Sequence, residues 1–191
     1  MRPRISQNRQ VGSCLPPTDF ALLADPLEFI AEDHLREREI CAVLDRFADL
    51  TPEDAVADPG DLQRCRAFLA TELPLHLADE EEDLFPLMRR CCDAEDEIDR
   101  VIQRLLSDHG HAMKDTPEVL EVLQQIETRA PETAESLLLM TYASQARRHL
   151  ILENAVILPI ARLRLRESDL ETLRLRMMQR RGVKRLKGSE E

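Results

Sequence analysis

The 191-residue chain predicts an all-α fold: an antiparallel up-down-up-down four-helix bundle with an extra C-terminal helix. Three observations carry this. Five glycines and few β-branched residues favour helices over strands. Apolar residues recur at helical spacing in four long segments joined by modest connections. With one Tyr, no Trp and five Phe, the core must be mostly Leu, Ile, Val, Met and Ala.

Residues 1–18 are polar, contain Pro16-Pro17, and read as a flexible N-terminal arm. The bundle is expected over 19–166. Asp25-Pro26 is an N-cap with proline at the first helical position. Leu27, Ile30, His34, Cys41, Leu44 and Ala48 then form the first stripe. Residues 49–61 read as a loop. The second helix is expected from about 61 to 91, with Leu62, Cys65, Leu69, Leu73, His76, Glu80, Leu84 and Leu87 on one face. The acids of 93–97 suit the N-terminal dipole of a third helix, whose stripe is Ile98, Ile102, Leu105, His109 and Met113. Asp115-Thr116-Pro117 is expected to break it, with a short helix following over 117–128.

Ala130-Pro131-Glu132 opens a fourth long helix, to about 166, with Leu138, Tyr142, Ala146, His149, Glu153, Ile157 and Ile160 in its stripe. Ser168 is the expected cap of a last helix to about Arg181, so 167–191 form a basic C-terminal helix and tail. Pro74, Pro86 and Pro159 should interrupt or kink their helices, and the matching places of Pro86 and Pro159 suggest equivalent bends.

A net charge of −11 disfavours nonspecific nucleic-acid binding by the whole protein. Residues 160–187 nevertheless carry ten Arg or Lys against Glu167, Asp169 and Glu171. That segment reads as a basic helix lying on an acidic body, or as a docking site for an acidic protein partner. No apolar run approaches the roughly 20 residues of a membrane span, and the N-terminus has no hydrophobic signal core, so no membrane partner and a cytoplasmic location are expected. Five cysteines, an odd number without a CxxC, fit a reducing compartment. Cys91-Cys92 read as structural thiols at a helix end, with a redox switch as the alternative.

Two segments share one frame. Residues 76–86 read HLADEEEDLFP and residues 149–159 read HLILENAVILP. Each has a histidine, a glutamate four residues on, and a proline six residues after that. Positions i and i+4 lie one above the other on a helix, so His76 with Glu80 and His149 with Glu153 each aim an imidazole and a carboxylate the same way. Both pairs, and also His34 and His109, fall inside apolar stripes. An unpaired carboxylate in an apolar core costs several kcal/mol or stays protonated. Two of them among four histidines call for a cation, and this donor set suits iron, manganese or zinc. A lone core histidine or a lone HxxxE would carry little; the repeated frame with one inward histidine on every long helix carries the metal reading.

Other residues stay open. His111 should point away from His109. Tyr142 shares the His149 face and is either a packed core tyrosine or a hydrogen-bond donor to a metal-bound oxygen species. Glu37 either orients His34 or makes a surface salt bridge. Glu81 is either a partner to the ligand shell or exposed. No HExxH, Walker loop, GxSxG or nucleotide fingerprint competes. The ferritin-like Glu-x-x-His motif is reversed here and its spacing is different.

The segments EDH (32–34), HLADEEEDLFP (76–86), SDHGH (107–111) and HLILENAVILP (149–159) resemble hemerythrin-like proteins with the HHE cation-binding domain, over about residues 24–165. LETLRLRMMQRRG (170–182) is similar to the tail of bacterial members. The resemblance implies two iron ions in an oxo- or hydroxo-bridged centre. His34 and His76 would serve one iron, His109 and His149 the other, and Glu80 and Glu153 would bridge them. Oxygen-carrying members have a further histidine where this chain has Met113, and an aspartate five residues after their last histidine where this chain has Glu153 at four. The resemblance is therefore to the broader HHE group, which includes iron or oxygen sensors and iron–sulfur repair proteins.

The expected function is the binding of dioxygen or a related small oxidant, with a diatomic or peroxide ligand, for sensing, storage or stress protection. Turnover of peroxide or nitric oxide at the same site and a zinc-stabilised interaction module are the alternatives.

Overall fold

The structure is a computed structural model and describes residues 18–53 and 57–184. The expected arm lies outside the described residues except for Thr18, which is buried and donates its hydroxyl to Asp33 Oδ1 at 2.5 Å.

Four long helices form the body. After a 3-10 turn, Phe20–Ala24, helix α1 spans Pro26–Ala48, with the Asp25 carboxylate accepting from the Glu28 N–H at 3.1 Å. Helix α2 runs over residues 59–91. It starts at Pro59, inside the expected loop, because Asp58 accepts from the Asp61 N–H and supplies the cap. Helix α3 spans Ile98–Gln125, helix α4 runs over residues 133–164, and helix α5 spans Glu167–Arg180.

The core shows why the helices alternate in direction. One apolar end holds Leu27 and Ile30 of α1, Leu84 and Met88 of α2, Ile102 and Leu105 of α3, and Ile157 and Ala161 of α4. The other end holds Ile40 and Leu44 of α1, Leu69 and Leu73 of α2, Val119 and Leu123 of α3, and Leu139 and Ala143 of α4. Chain order therefore runs from first end to second in α1 and α3, and back in α2 and α4. Between the ends lies a polar layer: His34, His76, Glu80, His109, His149 and Glu153, all buried.

Three stretches of wider helix interrupt α2 and α4. Phe68–Glu72, Asp79–Leu84 and Glu153–Ile157 are π-helical. At their ends the N–H groups of Leu73, Phe85 and Leu158 donate to the carbonyls of Phe68, Glu80 and Glu153, each five residues back. The next residue in each case is Pro74, Pro86 or Pro159. Proline lacks an N–H, and its ring crowds the carbonyl four residues before it. A widened turn ahead of it removes that conflict. Two of these turns begin at or beside Glu80 and Glu153, so the equivalent bends sit at the polar layer.

Helix α3 corrects two expectations. It continues through Pro117, where a break and a separate short helix were expected. Its apolar phase runs on through Thr116, Val119, Leu123 and Ile126, all buried, and this packing outweighs the lost hydrogen bond. The Thr116 hydroxyl donates to Ala112 O at 2.7 Å, one turn back, and lies 2.9 Å from the Tyr142 hydroxyl. Met113, expected in the stripe, is 46% exposed. It lies about 40° off the His109 direction, whereas Thr116 lies only about 20° off.

The start of α3 also differs from expectation. Residues Ala94–Asp96 form a separate 3-10 turn, and Glu97 at φ 47° turns the chain into α3. Helix α4 begins at Thr133 because Glu135 accepts from the Glu132 N–H. Asp169 accepts from the Arg166 N–H, so Arg166, not Ser168, is the cap residue of α5.

Cys91 ends α2 and Cys92 follows it; both thiols are free and partly buried against the core. Helix α5 packs Leu173, Met177 and Met178 into the first apolar end. Its Arg180 and Arg181 turn onto acids of α1 and α2. Among the described residues, no helix is long and apolar enough to cross a membrane.

Candidate metal centre

Each helix sends its histidine into the polar layer because the residue lies in phase with the core on both sides. Four imidazoles meet two carboxylates there. His34 Nε2 lies 3.6 Å from Glu80 Oε1 and 3.3 Å from Glu153 Oε2. His76 Nε2 is 3.7 Å from Glu80 Oε2. His109 Nε2 lies 3.4 Å from Glu80 Oε2 and 3.8 Å from Glu153 Oε1. His149 Nε2 is 3.0 Å from Glu153 Oε1 and 3.1 Å from His109 Nε2.

These atoms fall into two groups. His34, His76, Glu80 and Glu153 form one; Glu80, His109, His149 and Glu153 form the other. In each, the candidate ligand atoms lie within 4.8 Å of one another, and both groups share both carboxylates. The structure thus brings together all six residues singled out in the sequence.

Both carboxylates are fully buried, yet among the described residues none of their four oxygens makes a hydrogen bond. The same holds for both ring nitrogens of His34 and His76. Buried polar atoms are nearly always satisfied. Here they converge on common points without hydrogen bonding one another, which is the arrangement a cation would complete. The donor set fits a metal on that ground.

The second ring nitrogens meet further acids. His109 Nδ1 donates to Glu81 Oε1 at 2.7 Å, so Glu81 is a partner of the shell although its side chain is 41% exposed. His76 Nδ1 faces Asp33 Oδ2 at 3.7 Å, and His149 Nδ1 faces Asp108 Oδ2 at 3.9 Å. Such outer carboxylates fix the tautomer and ring orientation of ligating histidines. Asp33 and Asp108 were missed in the sequence. The available signal was an Asp-His dipeptide in each half of the chain.

Without a cation, protons carry the compensating charge. Burial lowers His76, but Glu80 and Asp33 push it up to about 10. Burial likewise opposes His109, which Glu153 and Glu80 raise to about 11. His34 and His149 are also raised against burial, each chiefly by Glu153. Burial would raise Glu80, yet the histidines around it, His76 foremost, hold it well below the usual carboxylate range. Glu153 is lowered too; burial and Glu80 oppose this, and His149 and His34 prevail.

A cavity of about 210 Å³ reaches this layer. His109, His149, Glu37, Tyr142, Leu73 and Leu77 line its inner part, and the exposed Arg104, His111 and Arg148 line its rim. Glu37 is therefore not in a surface salt bridge. It is 8% exposed, and burial raises its carboxyl above the ordinary value. His111 points outward as expected. The Tyr142 hydroxyl pairs with Thr116. Met113 lies on the surface and offers the layer no ligand.

No curated protein matches the chain. The family model of the Hemerythrin HHE cation binding domain matches residues 25–161, which takes in α1 through most of α4 and every residue of the polar layer. With four helices alternating in direction around a shared histidine and glutamate layer, the chain belongs to the hemerythrin HHE cation-binding family.

Proposed function

We propose that the protein is a non-haem di-iron protein that binds dioxygen or a related small oxidant, nitric oxide or peroxide, in sensing, storage or stress protection. His34 and His76 would hold one iron, His109 and His149 the other, with Glu80 and Glu153 shared. The observation that supports this most directly is the sharing of both carboxylates by two four-residue groups. Mixed imidazole and carboxylate donors suit iron, and zinc or manganese fits the same set less distinctively. Each ion would receive two imidazoles and two carboxylates, which leaves positions for an outside ligand. Bound iron would supply redox chemistry towards such a ligand. The protein's own part is to hold the histidines through Asp33, Glu81 and Asp108, to exclude bulk water by the apolar ends, and to admit a small molecule through the cavity.

The test is elemental analysis of the purified protein per folded chain, with His76→Ala and His149→Ala alongside. The expected result is about two irons, lost in the variants. Full metal retention in both variants overturns the reading.

A second reading, turnover of peroxide or nitric oxide, draws on the cavity at His109 and His149. Sustained consumption of peroxide by the iron-loaded protein, abolished by Glu153→Ala, would support it. A reaction that stops at stoichiometric amounts rejects it.

A further inference from the structure

Helix α5 lies beyond the family match, which ends at residue 161. Its end nevertheless reaches acids that adjoin the polar layer. The Arg181 side chain is 4% exposed, and its guanidinium sits 4.7 Å from the centre of the Phe29 ring. Arg181 Nη2 lies 2.6 Å from Asp79 Oδ2 and 3.9 Å from Asp33 Oδ2. Arg180 also grips Asp79, and its Nη2 lies 2.9 Å from Glu82 Oε2 and 2.6 Å from Asp83 Oδ2. Asp79 and Asp33 adjoin the His34–His76 half of the layer. Asp79 is fully buried and precedes Glu80 at the start of a π-helical turn. Asp33 precedes His34 and faces His76 Nδ1.

In the other half the matching clamp is exposed to solvent: Arg104, with its side chain 67% exposed, donates to Asp108 Oδ2 at 3.2 Å. The outer acids of that half, Glu81 and Asp108, have side chains 41% and 24% exposed, and the cavity opens beside its two histidines.

We propose that Arg180 and Arg181 are positioning residues of the metal centre, which fix Asp33 and Asp79 and so make the His34–His76 half the tighter of two unequal metal sites. The physical ground is that a buried aspartate beside a histidine aims the ring only if the aspartate is itself held. The buried Arg181 guanidinium is ion-paired with Asp79 and lies 3.9 Å from Asp33. Asp33 also takes the Thr18 hydroxyl and lies 3.7 Å from Arg36 Nη1. The Arg181 charge thus sits between the two carboxylates where little water screens it. The proposal rests on the di-iron reading.

The test follows iron(II) release from the loaded, full-length protein to an excess of a strong iron(II) chelator. The wild type is expected to release its metal in two phases, one fast and one slow. Arg181→Gln is expected to accelerate the slow phase by about 10- to 100-fold and to leave the fast phase alone, the usual span for loss of an outer-shell partner. Arg181→Lys keeps the charge and should restore part of the difference. Arg174→Gln, whose guanidinium pairs with Glu171 within α5, should change neither phase. Should Arg181→Gln fail to fold, Asp33→Asn leaves the packing of α5 intact and should accelerate the same slow phase.

Folded Arg181→Gln or Asp33→Asn protein that releases both metals at wild-type rates overturns the proposal. Equal acceleration of both phases also overturns it, because it reports general loosening. A wild-type chain that takes up iron but releases it in a single phase overturns the inequality alone. A wild-type chain that takes up no iron overturns the di-iron reading, and the clamp with it.

Discussion

Asp33 precedes His34 in the chain but faces His76 on the next helix, with its Oδ2 3.7 Å from Nδ1. Asp108 repeats the relationship in the second half, preceding His109 and facing His149 at 3.9 Å. Successive residues on a helix point about 100° apart, so an aspartate cannot face the histidine that follows it. It can face the histidine of a packed neighbour. Each half of the chain therefore carries Asp-His on one helix and His-x-x-x-Glu on the next, cross-braced through the bundle.

The bracing should be unequal in strength. Asp33 is buried and also takes the Thr18 hydroxyl, so Asp33→Asn should weaken metal binding about 100-fold. Glu81 meets His109 at a shorter distance but half-exposed, so Glu81→Gln should cost about 10-fold. Asp108→Asn, at 3.9 Å, should cost least. Competition against a coloured chelator measures all three, and a reversed order would show that burial does not set the bracing.

Protons and metal should compete for the layer. His76, raised to about 10, and His109, raised to about 11, are charged at neutral pH in the metal-free protein. Loading must displace those protons, and with them any carried by His34 and His149, which are also raised. Affinity should therefore rise between about pH 6 and 8, and calorimetry in buffers of different ionisation heat should register the release. The stability of the metal-free chain has the matching sign. A histidine raised in the fold contributes most below its ordinary value of 6.5, and that contribution is lost as pH climbs towards 10 and 11. Glu80 and Glu153, lowered in the fold, contribute above 4.5 and lose that contribution on acidification. The urea midpoint of the metal-free protein should peak between about pH 4.5 and 6.5 and fall on the alkaline side. A midpoint that instead rises from pH 7 to 9 would contradict the protonated layer.

Glu37 is a buried acid of the cavity wall, and burial raises it. The charges of His76, His149 and His34 offset part of that cost but do not overcome it. Glu37→Gln should raise the unfolding free energy of the metal-free protein by about 1 kcal/mol at pH 8. The gain should shrink on acidification, because the raised carboxyl takes up its proton in the fold as pH falls towards the ordinary value of 4.5. Denaturant titrations at pH 5 and pH 8 make the comparison. A loss of stability at pH 8 would mean that the carboxylate is held by something the fold supplies.

The bundle and the six inward residues were legible in the sequence because helical phase is a local property. Where Leu73, His76, Glu80 and Leu84 share a stripe, the histidine and glutamate must share its burial. Features that depend on packing between helices were not legible. Pro117 marks a helix end on local grounds, yet Val119 and Leu123 are already committed to the core and carry α3 through it. The widened turns ahead of Pro74, Pro86 and Pro159 leave only the proline itself as a trace. Glu37 carries a charge that locally argues for the surface, and only the meeting of four helices buries it. The clamp by Arg180 and Arg181 joins residues about 100 positions apart in charge-rich segments where many pairings were equally plausible.

Tyr142 shows how one such ambiguity can be settled. From the sequence it was either a core residue or a donor to a bound ligand. In the fold its hydroxyl meets Thr116 at 2.9 Å, while Thr116 donates to the Ala112 carbonyl one turn ahead of Pro117. The phenol therefore completes the hydrogen bonding of a buried threonine beside a proline that α3 would otherwise tolerate poorly. Thr116→Val leaves the phenol without a partner and should cost about 1–3 kcal/mol. Tyr142→Phe leaves the threonine its bond to Ala112 and should cost about 1 kcal/mol. If the two hydroxyls act as one unit, the double variant should cost less than the sum, by about 0.5 kcal/mol or more. Iron content and the optical spectrum of loaded Tyr142→Phe should match the wild type. A changed spectrum with unchanged stability would instead make Tyr142 a residue of the metal site.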